Sequence, residues 1–294
     1  MMRAIMSADL KSLLIPNKTI DRNGIFVAHD IAEKTVWDTL AVENPTNAVI
    51  SAEDETAAQK KSEAQILEIK QHIKPTDVLL DYGSGYGRIA KYLLPATPIA
   101  GYIGMDSSFE MLSIFKERYD KSSAEQETPV LLLSADIHTA PLKDHSVDMV
   151  VVCAVFLHNH KDIVKRAMDE IKRVLKPGGT LLVYSSFPRV WTAMGIQGQL
   201  YQMILNVLGK PYKNGPVRYY RKSEVMKLLG GFSEVEVKSV GLTVVPKTLI
   251  FLSGPFEKMY RIGFANPLNG LLSRIIPDSL APSFAVHYDI VAVL

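Results

Sequence analysis

The stretch Asp77-Val-Leu-Leu-Asp81-Tyr-Gly83-Ser-Gly85-Tyr-Gly87-Arg88 decides the architecture. Its first five residues form a short buried-strand pattern, and the glycines that follow allow a tight turn before an apolar run to Leu94, which Pro95 stops. A strand, a glycine turn and a helix form the opening half of a strand–helix–strand unit. The helix start above such a turn presents unpaired N–H groups to a ligand.

The alternation continues outward. Upstream, Ser62 to Ile73 reads as an amphipathic helix ended by Pro75. Downstream, Ile99 to Met105 reads as a strand, Phe109 to Tyr119 as a helix, and Val130 to Leu133 and Val147 to Val152 as strands. Ile163 to Leu175 reads as a helix, Lys176-Pro-Gly-Gly179 as a turn and Thr180 to Tyr184 as a strand. Lys222 to Leu229 is predicted helical, with strands at Ser233 to Val240 and Val286 to Val293. Apolar strands separated by helices imply a parallel sheet covered on both faces, an α/β doubly wound fold. Residues 1–60 read as an N-terminal cap segment and 61–294 as one domain, with inserts at about 187–220 and 243–285 that are rich in apolar and aromatic residues and are expected to cover the site.

Composition limits the function classes. The 294 residues are 47% hydrophobic, enough for a sizeable core. Thirty-three Lys and Arg stand against 31 Asp and Glu with no long single-sign block, so a nucleic-acid partner is not expected. The single cysteine, Cys153, cannot form an internal disulfide, no spacing suggests a metal site, and a reducing, cytoplasmic setting is expected. The apolar stretch Leu13-Leu14-Ile15 is too short for a secretory signal, and the run Met149 to Leu157 is half of what a membrane span needs, so no transmembrane segment is predicted. Leu249 to Phe264, with Lys258 and Arg261, leaves peripheral contact with a membrane open. Nothing in the sequence sets an oligomeric state.

Two ligand classes use a strand–glycine loop–helix: dinucleotides and S-adenosylmethionine. The dinucleotide fingerprint is G-x-G-x-x-G, whereas Gly83, Gly85 and Gly87 run G-x-G-x-G and Arg88 takes the sixth place. Charge points the same way. Asp81 repels a pyrophosphate and attracts the ammonium end of adenosylmethionine, by roughly 4 kcal/mol at about 4 Å before desolvation. Asp106 ends the next strand, where a carboxylate accepts from both ribose hydroxyls. Asp136 follows the third strand, placed to accept from an adenine amino group while Ile137 packs on the ring.

With these motifs the chain resembles the class I S-adenosylmethionine-dependent methyltransferases from about Asp77 to Leu294. The resemblance implies a Rossmann-like, seven-stranded sheet, mostly parallel with an antiparallel last strand, which Val286 to Val293 would supply. It implies the cofactor S-adenosyl-L-methionine, with Asp81 to Gly87 as the glycine motif, Asp106 as the ribose acid and Ser134 to Ile137 as the adenine motif. Glu170 to Gly179 is similar to the family's helix and turn before the fifth strand. His158, in Leu157-His158-Asn159, matches the first histidine of a Leu-His-His sequence in many relatives, with Asn159 replacing the second.

His158 is thus the candidate general base, against a bland reading as a packing residue. Tyr219 and Tyr220 are candidates for substrate contact, because Arg218 to Glu224 resembles the family segment that closes over the acceptor. Arg88 reads as a surface arginine, Asp148 as a strand cap, and His138, His145 and His160 as solvated loop residues. The expected activity is methylation of a small, apolar metabolite, O-methylation first and C-methylation of an isoprenoid or quinone-like lipid second. Readings of other classes are an NAD(P)-dependent oxidoreductase and a non-catalytic adenosylmethionine-binding protein.

Overall fold

The computed structural model describes residues 9–31, 36–43, 55–122, 128–210, 217–246, 249, 254–277 and 279–294. Among the described residues nine strands form one sheet: β1 (Thr19–Arg22), β2 (Ile25–Ala28), β3 (Val78–Tyr82), β4 (Gly101–Asp106), β5 (Val130–Ser134), β6 (Val147–Cys153), β7 (Leu175–Pro188), β8 (Glu234–Leu242) and β9 (Ala285–Val293). Their order is β1-β2-β5-β4-β3-β6-β7-β9-β8. From β2 to β7 all neighbours run parallel, while β1 and β9 run antiparallel to theirs. The chain steps from β3 to β4 on one side and later to β6 on the other, leaving a crevice at the strand C-termini between them.

Period-two alternation explains why the central strands are apolar throughout. Leu80, Tyr82, Val150, Val152 and Val183 enter one core, under Val164, Ala167 and Ile171 of the helix Lys161–Val174. Leu79, Val151 and Leu182 enter the other, under Ile89 of the helix Arg88–Leu93 and Leu112 and Phe115 of the helix Phe109–Ser122. With helices on both faces, neither side of the sheet tolerates a run of polar residues.

The sheet has nine strands where seven were expected. The extra pair is a hairpin whose two-residue loop, Asn23-Gly24, has φ of +56° and +81°, the paired left-handed geometry of a type I′ turn. Asn-Gly is a hairpin signal, but β1 is polar and mostly exposed, so hydrophobic periodicity alone does not reveal it. The second difference lies at Lys176-Pro-Gly-Gly179. This stretch is a bulge inside β7: Leu175 pairs with Val147 and Thr180 with Met149, so the intervening residues swell out of the ladder, with Gly178 at φ +76°. Lys176 reaches back to the Asp148 carboxylate at 2.8 and 2.9 Å, and Asp148 accepts the Val78 N–H at 2.9 Å.

Candidate functional site

A cavity of about 570 Å³ opens at the crevice between β3, β4 and β6. The glycine loop forms its floor. Gly83 (φ +86°) lies against Val155, where an added Cβ would sit 2.3 Å from a Val155 methyl. Gly87 (φ +81°) lies equally close to the Phe115 ring. The N–H groups of Gly83 and Ser84 both donate to the Met105 carbonyl, at 2.7 and 2.9 Å, folding the loop over the end of β4.

Asp106, at that end, holds the loop from the other side. One carboxylate oxygen accepts the Gly85 N–H at 2.8 Å and the other the Ser108 N–H at 2.9 Å. Each keeps a further lone pair for a ligand. Burial pushes its pKa up to about 6, against the lowering effect of these N–H groups. Asp136 and Ile137, after β5, line the same cavity, and the Ile137 carbonyl is tied down by the Tyr82 hydroxyl.

Of the other expected residues, Gly83, Gly85 and His158 also line the cavity, whereas Asp81, Gly87, Tyr219 and Tyr220 do not. Asp81 is 1% exposed, accepts the Tyr102 hydroxyl, and has its pKa pushed up to about 7 by burial. Its connection to the site is electrostatic, through Arg88, whose charge opposes that rise. Tyr220 is packed edge-on against Phe187 at 4.9 Å, and Gly198 leaves room for the Tyr219 hydroxyl. The cavity is met instead by Val217, which immediately precedes that segment.

Arg88 corrects the surface reading. It is 6% exposed, lines the cavity, and donates to Ser62 Oγ at 3.1 Å and Cys153 Sγ at 2.7 Å. The first turn of its helix faces the helix Glu55–His72, whose Ser62 is buried, and that tertiary contact is invisible to local periodicity. His138, expected to be solvated, is half-buried in the cavity wall.

His158 sits on a single 3₁₀ turn, Phe156–His158, directly after β6. Its ring meets Trp37 edge-on, with centroids 5.1 Å apart. Trp37 belongs to the N-terminal helix Val36–Glu43, which is fastened by Asp38 accepting from Ser108 Oγ at 2.6 Å. No sequence signal near Trp37 pointed to this wall, because its partners lie about 70 and 120 residues away in the chain. Opposite, Ala154 and Ser185 line the cavity with left-handed φ of +58° and +52°. Such non-glycine conformations cost on the order of 1–3 kcal/mol and cluster at functional sites. Ser185 is held by its N–H to Asp289 at 2.8 Å, and Ala154 by its N–H to the Tyr184 carbonyl at 2.9 Å.

The cavity therefore offers the guanidinium of the buried Arg88, whose Nε has no partner, a carboxylate with open lone pairs, and an apolar wall. These groups suit a ligand with a carboxylate tail, a diol and a flat heterocycle. Residues 80–183 match a family described as a methyltransferase domain. Over those residues the chain is similar to the class I S-adenosylmethionine-dependent methyltransferases, and the protein is a methyltransferase that uses S-adenosylmethionine.

Relatives of this methyltransferase include an uncharacterised protein of Methanocaldococcus jannaschii, 28% identical over 76% of this chain and 78% of that one. A demethylmenaquinone methyltransferase of Thermus thermophilus is 33% identical over 45% of this chain and 57% of its own length. Among solved structures, a chain of the Haloferax volcanii complex between the Trm112 methyltransferase activator and a methyltransferase superposes with a TM-score of 0.53, at 17% identity, over 89% of this chain and 99% of that one. At that identity the superposition speaks for the fold. The cofactor of the methyltransferase is S-adenosylmethionine.

Proposed function

We propose that this methyltransferase O-methylates a small, apolar acceptor held beside His158. The supporting observation is that one cavity is lined both by the glycine loop with Asp106 and Asp136 and by Trp37, Leu157, Ile163 and His158. In this reading Arg88 receives the carboxylate of the cofactor, Asp106 accepts from its ribose hydroxyls, and Asp136 with Ile137 holds the adenine. Gly83 and Gly85 let the backbone approach. Asp81 sets the charge balance around Arg88 from behind the wall.

When bound, the cofactor supplies a methyl group already activated by its sulfonium leaving group. The residues then have three tasks: alignment, exclusion of water and custody of one proton. The apolar wall aligns and dries the acceptor. His158 takes the acceptor's proton as the new bond to the methyl carbon forms and the carbon–sulfur pair returns to sulfur.

A second reading, C-methylation of a quinone-like ring, draws support from the relatives named demethylmenaquinone methyltransferases. It uses the same residues, with His158 taking a ring proton. Incubation with the cofactor and either a simple phenol or a reduced naphthoquinone, followed by adenosylhomocysteine quantitation and NMR of the product, separates the two. Failure to form adenosylhomocysteine with either acceptor, while the protein binds it in calorimetry, would count for a binding protein without turnover.

A further inference from the structure

The two inserts leave the sheet at the same edge as the cavity. Pro188, the last residue of β7, pairs with His287, and Leu242, the last of β8, pairs with Ala285. His287 itself lines the cavity. Arg189 binds the chain together there, donating to the Ala285 carbonyl at 3.0 Å.

These inserts differ from the rest of the chain in charge and in surface. Residues 187–220 and 243–285 together contain eight Lys or Arg against two Asp or Glu, a net +6. Within a total of +2, the remaining residues therefore carry −4. The described residues of the same inserts also expose large apolar side chains, among them Trp191 (69% exposed), Phe256 (66%) and Phe264 (53%), with Met203 and Met259.

A buried side chain fixes which way the second insert faces. Asn269 accepts the N–H groups of Val244 and Val245 at 2.9 and 3.0 Å and donates to the Val245 carbonyl at 2.8 Å. The Tyr260 hydroxyl donates to the Pro246 carbonyl at 3.0 Å. The helical run from Gly254 to Ile275, interrupted only by the π turn Arg261–Ala265, is thereby pinned by one side, with Phe256, Met259 and Phe264 outward.

We infer that the inserts form a docking surface for an anionic lipid membrane, which sets the cavity-bearing edge of the sheet against the bilayer. Aromatic and methionine side chains enter the headgroup layer, and the exposed Lys210, Lys258 and Arg274 of the same inserts are drawn to anionic lipid. Charge selects this occupant over a second copy of the chain, because two faces carrying the same excess of positive charge repel. Among the described residues no helix is long and apolar enough to cross a membrane, so docking is peripheral. It holds whichever acceptor atom is methylated, and its test reads partitioning instead of turnover.

The test is flotation of the full chain on phosphatidylcholine vesicles with and without about a third phosphatidylglycerol. Co-flotation is expected with the anionic vesicles only, weakening roughly tenfold as salt shortens the Debye length. The double substitution Phe256→Ser with Phe264→Ser, and separately Lys258→Glu with Arg274→Glu, should each lower flotation roughly tenfold. Adenosylhomocysteine binding should stay unchanged in both, which shows that the site remains folded. No flotation of the natural chain, equal flotation on both vesicle types, or undiminished flotation of the folded variants would each overturn the inference. So would sedimentation, without vesicles, of a dimer that the same substitutions split into monomers.

Discussion

At the scale of single residues, two side chains carry separable tasks. Asp106 anchors the glycine loop by two N–H groups and keeps lone pairs free, so Asp106→Ala should weaken adenosylhomocysteine binding by roughly 10- to 100-fold, the worth of one or two charge-assisted hydrogen bonds. Isothermal calorimetry measures it, and an unchanged affinity would remove Asp106 from the binding site. Its carboxylate ionises near pH 6, so cofactor affinity should also decline as pH falls below about 6. His158 makes the opposite prediction. With His158→Gln, kcat should fall on the order of 100-fold while cofactor affinity holds, since a proton acceptor contributes about that much. A change in cofactor affinity with little change in kcat would return His158 to a packing role against Trp37. The residues that local pattern identified best are those whose chemistry is tied to a strand end. Arg88 escaped, since the groups it touches, Ser62 and Cys153, come from other elements.

At the scale of elements, the strand–loop–helix from Val78 to Leu93 is the least substitutable part of the molecule. Gly83 has two independent reasons to be glycine: φ +86°, and a Val155 methyl where a side chain would go. Gly83→Ala should cost about 2–4 kcal/mol in unfolding free energy, by denaturant titration. Pairing it with Val155→Ala should recover only part of that loss, because trimming the neighbour leaves the backbone angle unchanged. Full recovery would show that crowding alone makes the position glycine. The hairpin β1–β2 shows the limit of periodicity as a guide to elements. Its turn chemistry, Asn23-Gly24, was legible, but its outer strand has no apolar face, so the pattern that revealed β3 to β7 was silent there.

Across the whole molecule, one buried and two half-buried carboxylates tie stability to pH. Burial raises Asp81 to about 7 and Asp106 and Asp289 to about 6, all above their ordinary value near 4. An acid whose pKa is raised by folding stabilises the fold while protonated, and that contribution fades as pH climbs through the folded value. Thermal stability should therefore decline from pH 5 to pH 8. Asp289→Asn, which keeps an acceptor for the Ser185 N–H, should flatten the decline by about 2 kcal/mol. Identical profiles for the two proteins would show that Asp289 titrates as an ordinary surface acid. By itself, the sequence determined the parallel α/β order, the glycine loop, and the placing of Asp106 and Asp136 at strand ends. These follow from backbone periodicity and from the crossovers that parallel strands require, both local properties of the chain. Only the tertiary structure decided that Asp81 sits behind the wall and Arg88 within it, that Trp37 backs His158, and that the inserts turn apolar faces outward. Each of these depends on what a distant segment presents at the same place, and such long-range contacts leave no mark in the spacing of neighbouring residues.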